Sequence, residues 1–346
     1  KMKKTVFYIA LCSAVVQCTS LNLGKKVQPA VITEQVNFDT DDPAIWINPQ
    51  DASQSLIIGT DKETEGGLFV YDLNGKIVNK VPGLKRPNTV DVEYGFNFQG
   101  KKIDIAVTTE RQQNKIRIYE VPSMKEIGAI SVFEGETDRD PMGISIYKNP
   151  HTEEIFAIVG RKFGPGGTYL WQYKLSENNG KVTGEVARKF GNFSGKKEIE
   201  SIAVDDELGF IYYSDEGFGV RKYYADPAKG NQELALFGQK DFKEDVEGIS
   251  IYDTGNGKGY ILISNQQADT FNVYRREGDN GNANQHYRIA EIPVSTKESD
   301  GSEVVSVNLG PKFPNGVFVA MTNGKVFHYY DWREFQKIID EQSQPK

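Results

Sequence analysis

Histidine is almost missing from this sequence. His151, His286 and His328 are the only three in 346 residues. Nucleophilic Ser-His-Asp chemistry needs an imidazole beside the nucleophile, and none of the three falls among the candidate site positions identified below. Cysteine is scarcer: Cys12 and Cys18 both lie near the start, so no disulfide framework can staple the rest of the chain. With so little nitrogen and sulfur, zinc and copper are poor candidates for any metal site. Beyond the N-terminal segment no run is long and apolar enough to span a bilayer. Positive charge is also in deficit, with 41 Lys and Arg against 48 Asp and Glu and a formal net charge of −7. A general nucleic-acid partner is thereby excluded, because its affinity comes mainly from phosphate neutralisation.

What is present begins with an export pattern. Lys1, Lys3 and Lys4 precede a short apolar core from Val6 to Val16, too short for a stable anchor. Val15-Val16-Gln17-Cys18 resembles the processing box of bacterial lipoproteins, with Gln17 standing where a small residue is usual. Lipidation of Cys18 and plain secretion both stay open. Residues 1–24 are assigned to this signal and a short linker, and 25–346 to a single domain. The expected location is periplasmic, outer-membrane-anchored through Cys18, or extracellular, in a bacterium; a monomer is expected.

Composition favours strands and tight turns, with 17 Tyr, 19 Phe and 34 Gly. A repeat then sets the fold class. Six short runs close on Tyr71, Tyr119, Tyr173, Tyr223, Tyr274 and Tyr329, about 48 to 55 residues apart, the length of a four-stranded blade. Each follows a more apolar run, such as Leu56-Ile57-Ile58 or Phe156-Ala157-Ile158-Val159. Before each of those lies a third, such as Ala44-Ile45-Trp46-Ile47 or Ile249-Ser250-Ile251-Tyr252. A strand triplet repeated at near-constant spacing predicts an all-β, six-bladed β-propeller with four-stranded blades. The strand-like segment Ala30 to Val36 is placed to pair with the last blade and remove an open edge. Asp331 is placed to cap a terminal helix from Trp332 to Ile339.

In such a ring the residues just before each innermost strand surround one mouth of the channel. Those positions read Asp41-Asp42, Asn88 with Asp91, Asp138 with Asp140, Glu198 with Glu200, Asp245 with Glu247, and Asp300 with Glu303. So many converging carboxylates need a compensating cation, and oxygen donors without His or Cys point to Ca²⁺. The second strands end on Lys62, Arg111 and Arg161-Lys162 in the first three blades, and on Asp215-Glu216, Gln266-Gln267 and Asn323 in the others. That segregation predicts a metal-rich half facing a cationic half, the charges needed to hold and polarise phosphate oxygens.

Asp41-Asp42-Pro43-Ala44-Ile45-Trp46, Glu200 ahead of Ala203-Val204-Asp205-Asp206-Glu207, Asp245-Val246-Glu247-Gly248 and Leu309-Gly310-Pro311-Lys312-Phe313-Pro314 resemble the β-propeller phytases, from about Asp41 to the last blade. The resemblance implies a calcium-dependent phosphatase that removes phosphate from phytate with metal-activated water; the absence of His151, His286 and His328 from the ring positions excludes the histidine-dependent acid phosphatases. It implies calcium ligands at Asp41, Glu200, Glu216, Glu247, Gln266 and Asp300, a more structural ion at Asp42, and phosphate contacts at Lys62 and Arg111. Glu200, Glu216, Asp300 and Arg111 are the expected catalytic set, and Lys62, Arg111, Arg161 and Lys162 the expected substrate-binding set. Three positions depart from the family pattern: Val294 stands where a metal-bridging Asp is usual, Met142 where a phosphate-contacting Tyr is, and Arg161-Lys162 replace a Lys-Glu pair. A calcium-dependent propeller lactonase or esterase, and a non-catalytic module binding anionic ligands, are the alternative readings.

Overall fold

The computed structural model of the chain describes residues 24–343. The expected export signal, with Cys12 and Cys18, lies outside the described residues. Strand β1 (Val31–Ile32) comes first. Unit one is β2 (Thr40–Trp46), β3 (Leu56–Asp61), β4 (Gly66–Tyr71) and β5 (Ile77–Leu84). Unit two is β6 (Pro87–Phe98), β7 (Lys101–Glu110), β8 (Lys115–Val121) and β9 (Lys125–Ser131). Unit three is β10 (Pro141–Lys148), β11 (Ile155–Arg161), β12 (Leu170–Asn178) and β13 (Lys181–Phe190). Unit four is β14 (Ile202–Asp205), β15 (Phe210–Asp215), β16 (Gly219–Tyr224) and β17 (Ala235–Phe237). Unit five is β18 (Val246–Gly255), β19 (Lys258–Asn265), β20 (Thr270–Arg275) and β21 (Arg288–Pro293), and unit six is β22 (Ser302–Val305), β23 (Val317–Thr322) and β24 (Val326–Asp331) with β1 as its fourth strand.

Within each unit the strands run as an antiparallel meander, and the six innermost, β2, β6, β10, β14, β18 and β22, neighbour one another in a closed ring. The all-β propeller expectation holds, with one correction. Among the described residues the hydrogen-bonded sheets number five rather than six, because units two and three share one eight-stranded sheet. There β13 lies parallel to β9, Val182 opposite Gly128. A Cβ at residue 128 would sit 2.7 Å from the Val182 carbonyl oxygen, so the join depends on glycine.

Hydrophobic pattern explains the packing. A unit wedged between two neighbours buries both faces of its middle strands, so β4, β11 and β23 are apolar at successive positions and buried along their length. The outer β5 alternates between sheltered and exposed side chains. Six apolar clusters result, one at each junction between neighbouring units. Each fully buried Ile, Leu or Phe contributes about 1.5–3 kcal/mol.

The ring is closed by the segment that precedes unit one. Val31 pairs with Tyr329 and Ile32 with His328, and the Thr33 and Val36 amides donate to the Phe327 and Lys325 carbonyls at 3.0 and 2.9 Å. Asp331 then caps helix α1 (Trp332–Gln342), its carboxylate accepting from the Arg333 amide at 3.1 Å. Trp332, Phe335 and Ile339, spaced for one helical face, bury against units five and six.

Candidate metal centre

Four innermost strands carry the same irregularity near their start. The register shifts between Thr40 and Pro43, Pro87 and Val90, Pro141 and Ile144, and Val246 and Ile249. A bulge re-aims the side chains it carries, here Asp41 and Asp42, Asn88 and Thr89, Met142 and Gly143, and Glu247 and Gly248. Glycines let neighbouring strands converge at this end. A Cβ at Gly143 would fall on the Glu200 carbonyl oxygen; at Gly248 it would lie 2.8 Å from the Asp300 carbonyl oxygen, and at Gly301 2.5 Å from that of Asp41. No side chain fits at these three places, and the closeness brings Asp41, Glu200, Glu247 and Asp300 to one mouth.

The contacts form a connected set. Lys62 Nζ lies 2.5 Å from Asp41 Oδ1 and 3.1 Å from Asp300 Oδ2. Asn88 Nδ2 donates to Asp41 Oδ2 at 2.9 Å and also to Glu200 Oε1. Gln266 Nε2 donates to Asp300 Oδ1 at 2.5 Å, while its Oε1 accepts from Gln267 Nε2 at 2.7 Å. Lys197 pairs with Asp245. Glu198, Glu200 and Glu216 each bring a carboxylate oxygen within 4.8 Å of the other two. Beneath the mouth, Asp42, Asp91 and Glu303 line a cavity of about 120 Å³ along the channel.

The electrostatics of this carboxylate arrangement are costly. Burial, reinforced by charge on Glu200, Glu198 and Asp245, pushes the Glu216 carboxyl up to about 9. Burial also raises Glu247, with Glu216 and Glu200 adding to it, and raises Asp41 and Glu200 against the opposing pull of Lys62. Burial alone would lower the Lys62 ammonium; charge on Asp41, Glu200 and Asp300 outweighs it and pushes Lys62 up. In the channel, burial raises Asp42 and lifts Glu303 to about 8.

Among the described residues, the buried carboxylate oxygens Glu216 Oε1 and Glu247 Oε2 have neither a hydrogen-bond nor an ion-pair partner, whereas Asp41 Oδ1 is met by the Lys62 ammonium. An unsatisfied buried carboxylate oxygen is expensive unless something occupies it. A donor set made only of carboxylate and amide oxygens suits a hard divalent cation, and calcium takes six to eight such oxygens at about 2.3–2.6 Å. The residues present therefore fit calcium.

The sequence-predicted residues are brought together unevenly. Asp41, Glu200, Glu216, Glu247, Gln266, Asp300 and Lys62 meet at the mouth, and Asp42 turns into the channel, where its carboxylate accepts from the Val90 amide at 3.1 Å. Arg111 sits half-buried at the same end, its amide bonded to the Arg86 carbonyl at 3.1 Å. Lys162 reaches Glu198, Nζ to Oε2, at 2.6 Å.

Arg161 does not fit its expected substrate-binding place. It is 1% exposed, bonded to Glu136 Oε2 at 3.2 Å and to the Asp138 and Thr168 carbonyls at 3.1 and 3.3 Å, and lies over the Phe133 ring. Its guanidinium ties the segment between β9 and β10 to the loop before β12. The expectation that acids from all six units meet at the mouth is likewise corrected: Asp138 and Asp140 of unit three are exposed, and Asp91 of unit two lies down the channel, bonded to Ser145 Oγ at 2.8 Å. Unit two supplies Asn88 instead.

Two residues matter more than their sequence positions suggested. Asn88 ties Asp41 to Glu200. Glu198 completes the three-carboxylate cluster; its signal was the Glu-x-Glu spacing with Glu200, which puts both on one side of an extended segment. Of the other departures, Val294 is fully buried beside Val27, and Met142 is buried with its carbonyl accepting from the Thr89 and Thr109 hydroxyls at 2.9 and 2.8 Å.

Comparison with known proteins agrees with the charge pattern. A match to the phytase family runs over residues 5–339. The chain is 32% identical over 320 residues to a 3-phytase from Bacillus subtilis (strain 168), which covers 87% of this chain and 81% of that one. Among solved structures, Kuenenia stuttgartiensis hydrazine synthase aligns over 84% of this chain and 83% of its own with a TM-score of 0.52 and 12% identity, a likeness of fold alone.

Proposed function

The chain belongs to the phytase family, the phosphoric monoester hydrolases that act on phytate, and from that premise we propose that it is a calcium-dependent phytase working at the mouth described above. The observation that carries the calcium reading is the pair of buried, unpartnered oxygens, Glu216 Oε1 and Glu247 Oε2, at a mouth bordered by Lys62. Asp41, Glu200, Glu216, Glu247, Gln266 and Asp300 would hold calcium at the mouth, and Asp42 an ion in the channel. Bound there, calcium supplies positive charge that polarises a phosphoryl group and makes water more acidic.

The chain's own residues do the rest. Lys62 and Arg111 offer ammonium and guanidinium donors to the non-bridging oxygens of the ester, where charge builds in the transition state. Arg111 has a planar fork suited to two such oxygens. With a cation offsetting the cost of its burial, Glu216 would be ionised and could take the proton of the attacking water through a carboxylate oxygen. Glu200 and Asp300 are held in place by Asn88, Gln266 and Lys62, so their orientation is set before substrate arrives.

Phosphate release from phytate by the exported chain, with calcium and with chelator, tests the reading. Release that disappears with chelator and returns with calcium is expected. A folded protein that releases no phosphate at any calcium level overturns it. The export assignment is part of the proposal and is checked by fractionating cells that make the full chain.

A further inference from the structure

We propose that Lys162 is a built-in counter-cation that competes with a divalent ion for Glu198 and thereby controls how many carboxylates the metal centre can offer. This rests on the calcium reading above and adds a control to it. Consecutive residues of an extended chain point to opposite sides. At the end of β11, Arg161 is therefore buried against Phe133, while Lys162 reaches the mouth and places its ammonium 2.6 Å from Glu198 Oε2. Both partners keep some access to solvent, Lys162 at 30% and Glu198 at 20% exposure, so neither is locked.

Glu198 belongs with Glu200 and Glu216, whose oxygens lie within 4.8 Å of its own. Glu216, 5% exposed, leaves Oε1 without a partner beside them, the feature that marks this cluster as unfinished without a cation. A divalent ion held by Glu200 and Glu216 has the Glu198 carboxylate within reach, its oxygen within 4.8 Å of theirs. An ammonium has three donors and no acceptor, so it cannot join the ligand set, and it repels a divalent ion at this range. Either Lys162 keeps Glu198, or the ion takes Glu198 and the ammonium is released. Release happens at the mouth, where an anionic ester would enter, so loading the ion and exposing an anion-binding charge become one event. Lys62 is held more firmly, by two carboxylates instead of one and at 16% exposure, and Lys162 gives way first.

Calorimetric titration of calcium into wild type, Lys162→Gln, Glu198→Gln and the double variant tests this. Lys162→Gln is expected to tighten calcium binding about fivefold, because the ion no longer has to break a partly exposed ion pair to reach Glu198. The same change made on Glu198→Gln should alter affinity by less than about twofold, because the contested carboxylate is gone. Unchanged or weaker binding by Lys162→Gln, or equal tightening in both backgrounds, overturns the proposal while leaving the calcium reading intact. A folded wild-type chain that takes up no calcium overturns both. In unmodified protein, mass-spectrometric amine labelling should show Lys162 more reactive when calcium is present; lower or equal reactivity counts against release of the ammonium.

Discussion

Glu216→Gln should make the calcium-free protein more stable above neutral pH, although it removes a residue placed at the catalytic centre. In the folded chain the Glu216 carboxyl is raised from an ordinary 4.5 to about 9, by burial first and then by charge on Glu200, Glu198 and Asp245. A raised carboxyl binds its proton more tightly folded than unfolded. Its contribution to stability is complete below the unfolded value and is lost as pH climbs from about 4.5 towards 9. At pH 7.5 the unfolded chain has released the proton and the folded chain has not. Three pH units at about 1.4 kcal/mol each give about 4 kcal/mol of lost stability. Glutamine keeps the shape and has no proton to lose, but its buried amide costs about 1–3 kcal/mol where it lacks a partner. The variant should therefore gain roughly 1–3 kcal/mol at pH 7.5 in chelator, a few degrees in melting temperature, and this gain should vanish below about pH 5.

Calcium should reverse the order. An ion that binds only the folded chain stabilises it by about 2.7 kcal/mol at a hundred times its dissociation constant, and wild type, with the full carboxylate set, should gain more than Glu216→Gln. Phytate hydrolysis by the variant should be abolished at every calcium concentration. The measurement is thermal unfolding from pH 5 to 9 with chelator and with calcium. Parallel pH profiles for the two proteins in chelator, or a variant that is the less stable at pH 7.5, would show that Glu216 does not carry the proton assigned to it.

Arg111→Ala should raise KM for phytate at least tenfold with little change in melting temperature, since Arg111 is only half-buried, follows β7 at the strand end nearest the mouth, and among the described residues no side-chain hydrogen bond or ion pair ties its guanidinium to the fold. Arg161→Ala should do the opposite, lowering the melting temperature by several degrees through loss of a buried guanidinium bonded to Glu136 and two carbonyls. Gly301→Ala should weaken calcium binding tenfold or more while far-ultraviolet circular dichroism keeps its strand signature, because a Cβ 2.5 Å from the Asp41 carbonyl oxygen must push β2 and β22 apart.

The repeat was legible because each unit is squeezed between two others. Burial on both faces forces runs such as Phe156-Ala157-Ile158-Val159 to be apolar throughout, and that survives any variation in the loops. The outer strands face solvent on one side and carry no such constraint, so nothing in Val182 or Gly128 announced that units two and three share a sheet. At the mouth the same distinction operates at the level of single side chains. Asp41, Glu247 and Asp300 could be found because they recur at strand starts, and the repeat aligns strand starts. The direction of a side chain at a strand end could not be found that way. Arg161 and Lys162 are equally basic and adjacent, yet strand geometry sends one into the junction beside Phe133 and the other to Glu198. Only one of two consecutive basic residues can face the mouth, and at this place the inward one is paired with an acid. The cationic half is thus narrower than the sequence suggests, and part of its charge is spent on carboxylates until a cation arrives to take them. Anion-binding power at this mouth should accordingly rise with calcium and not merely accompany it, a dependence that a fixed row of free arginines and lysines would not produce.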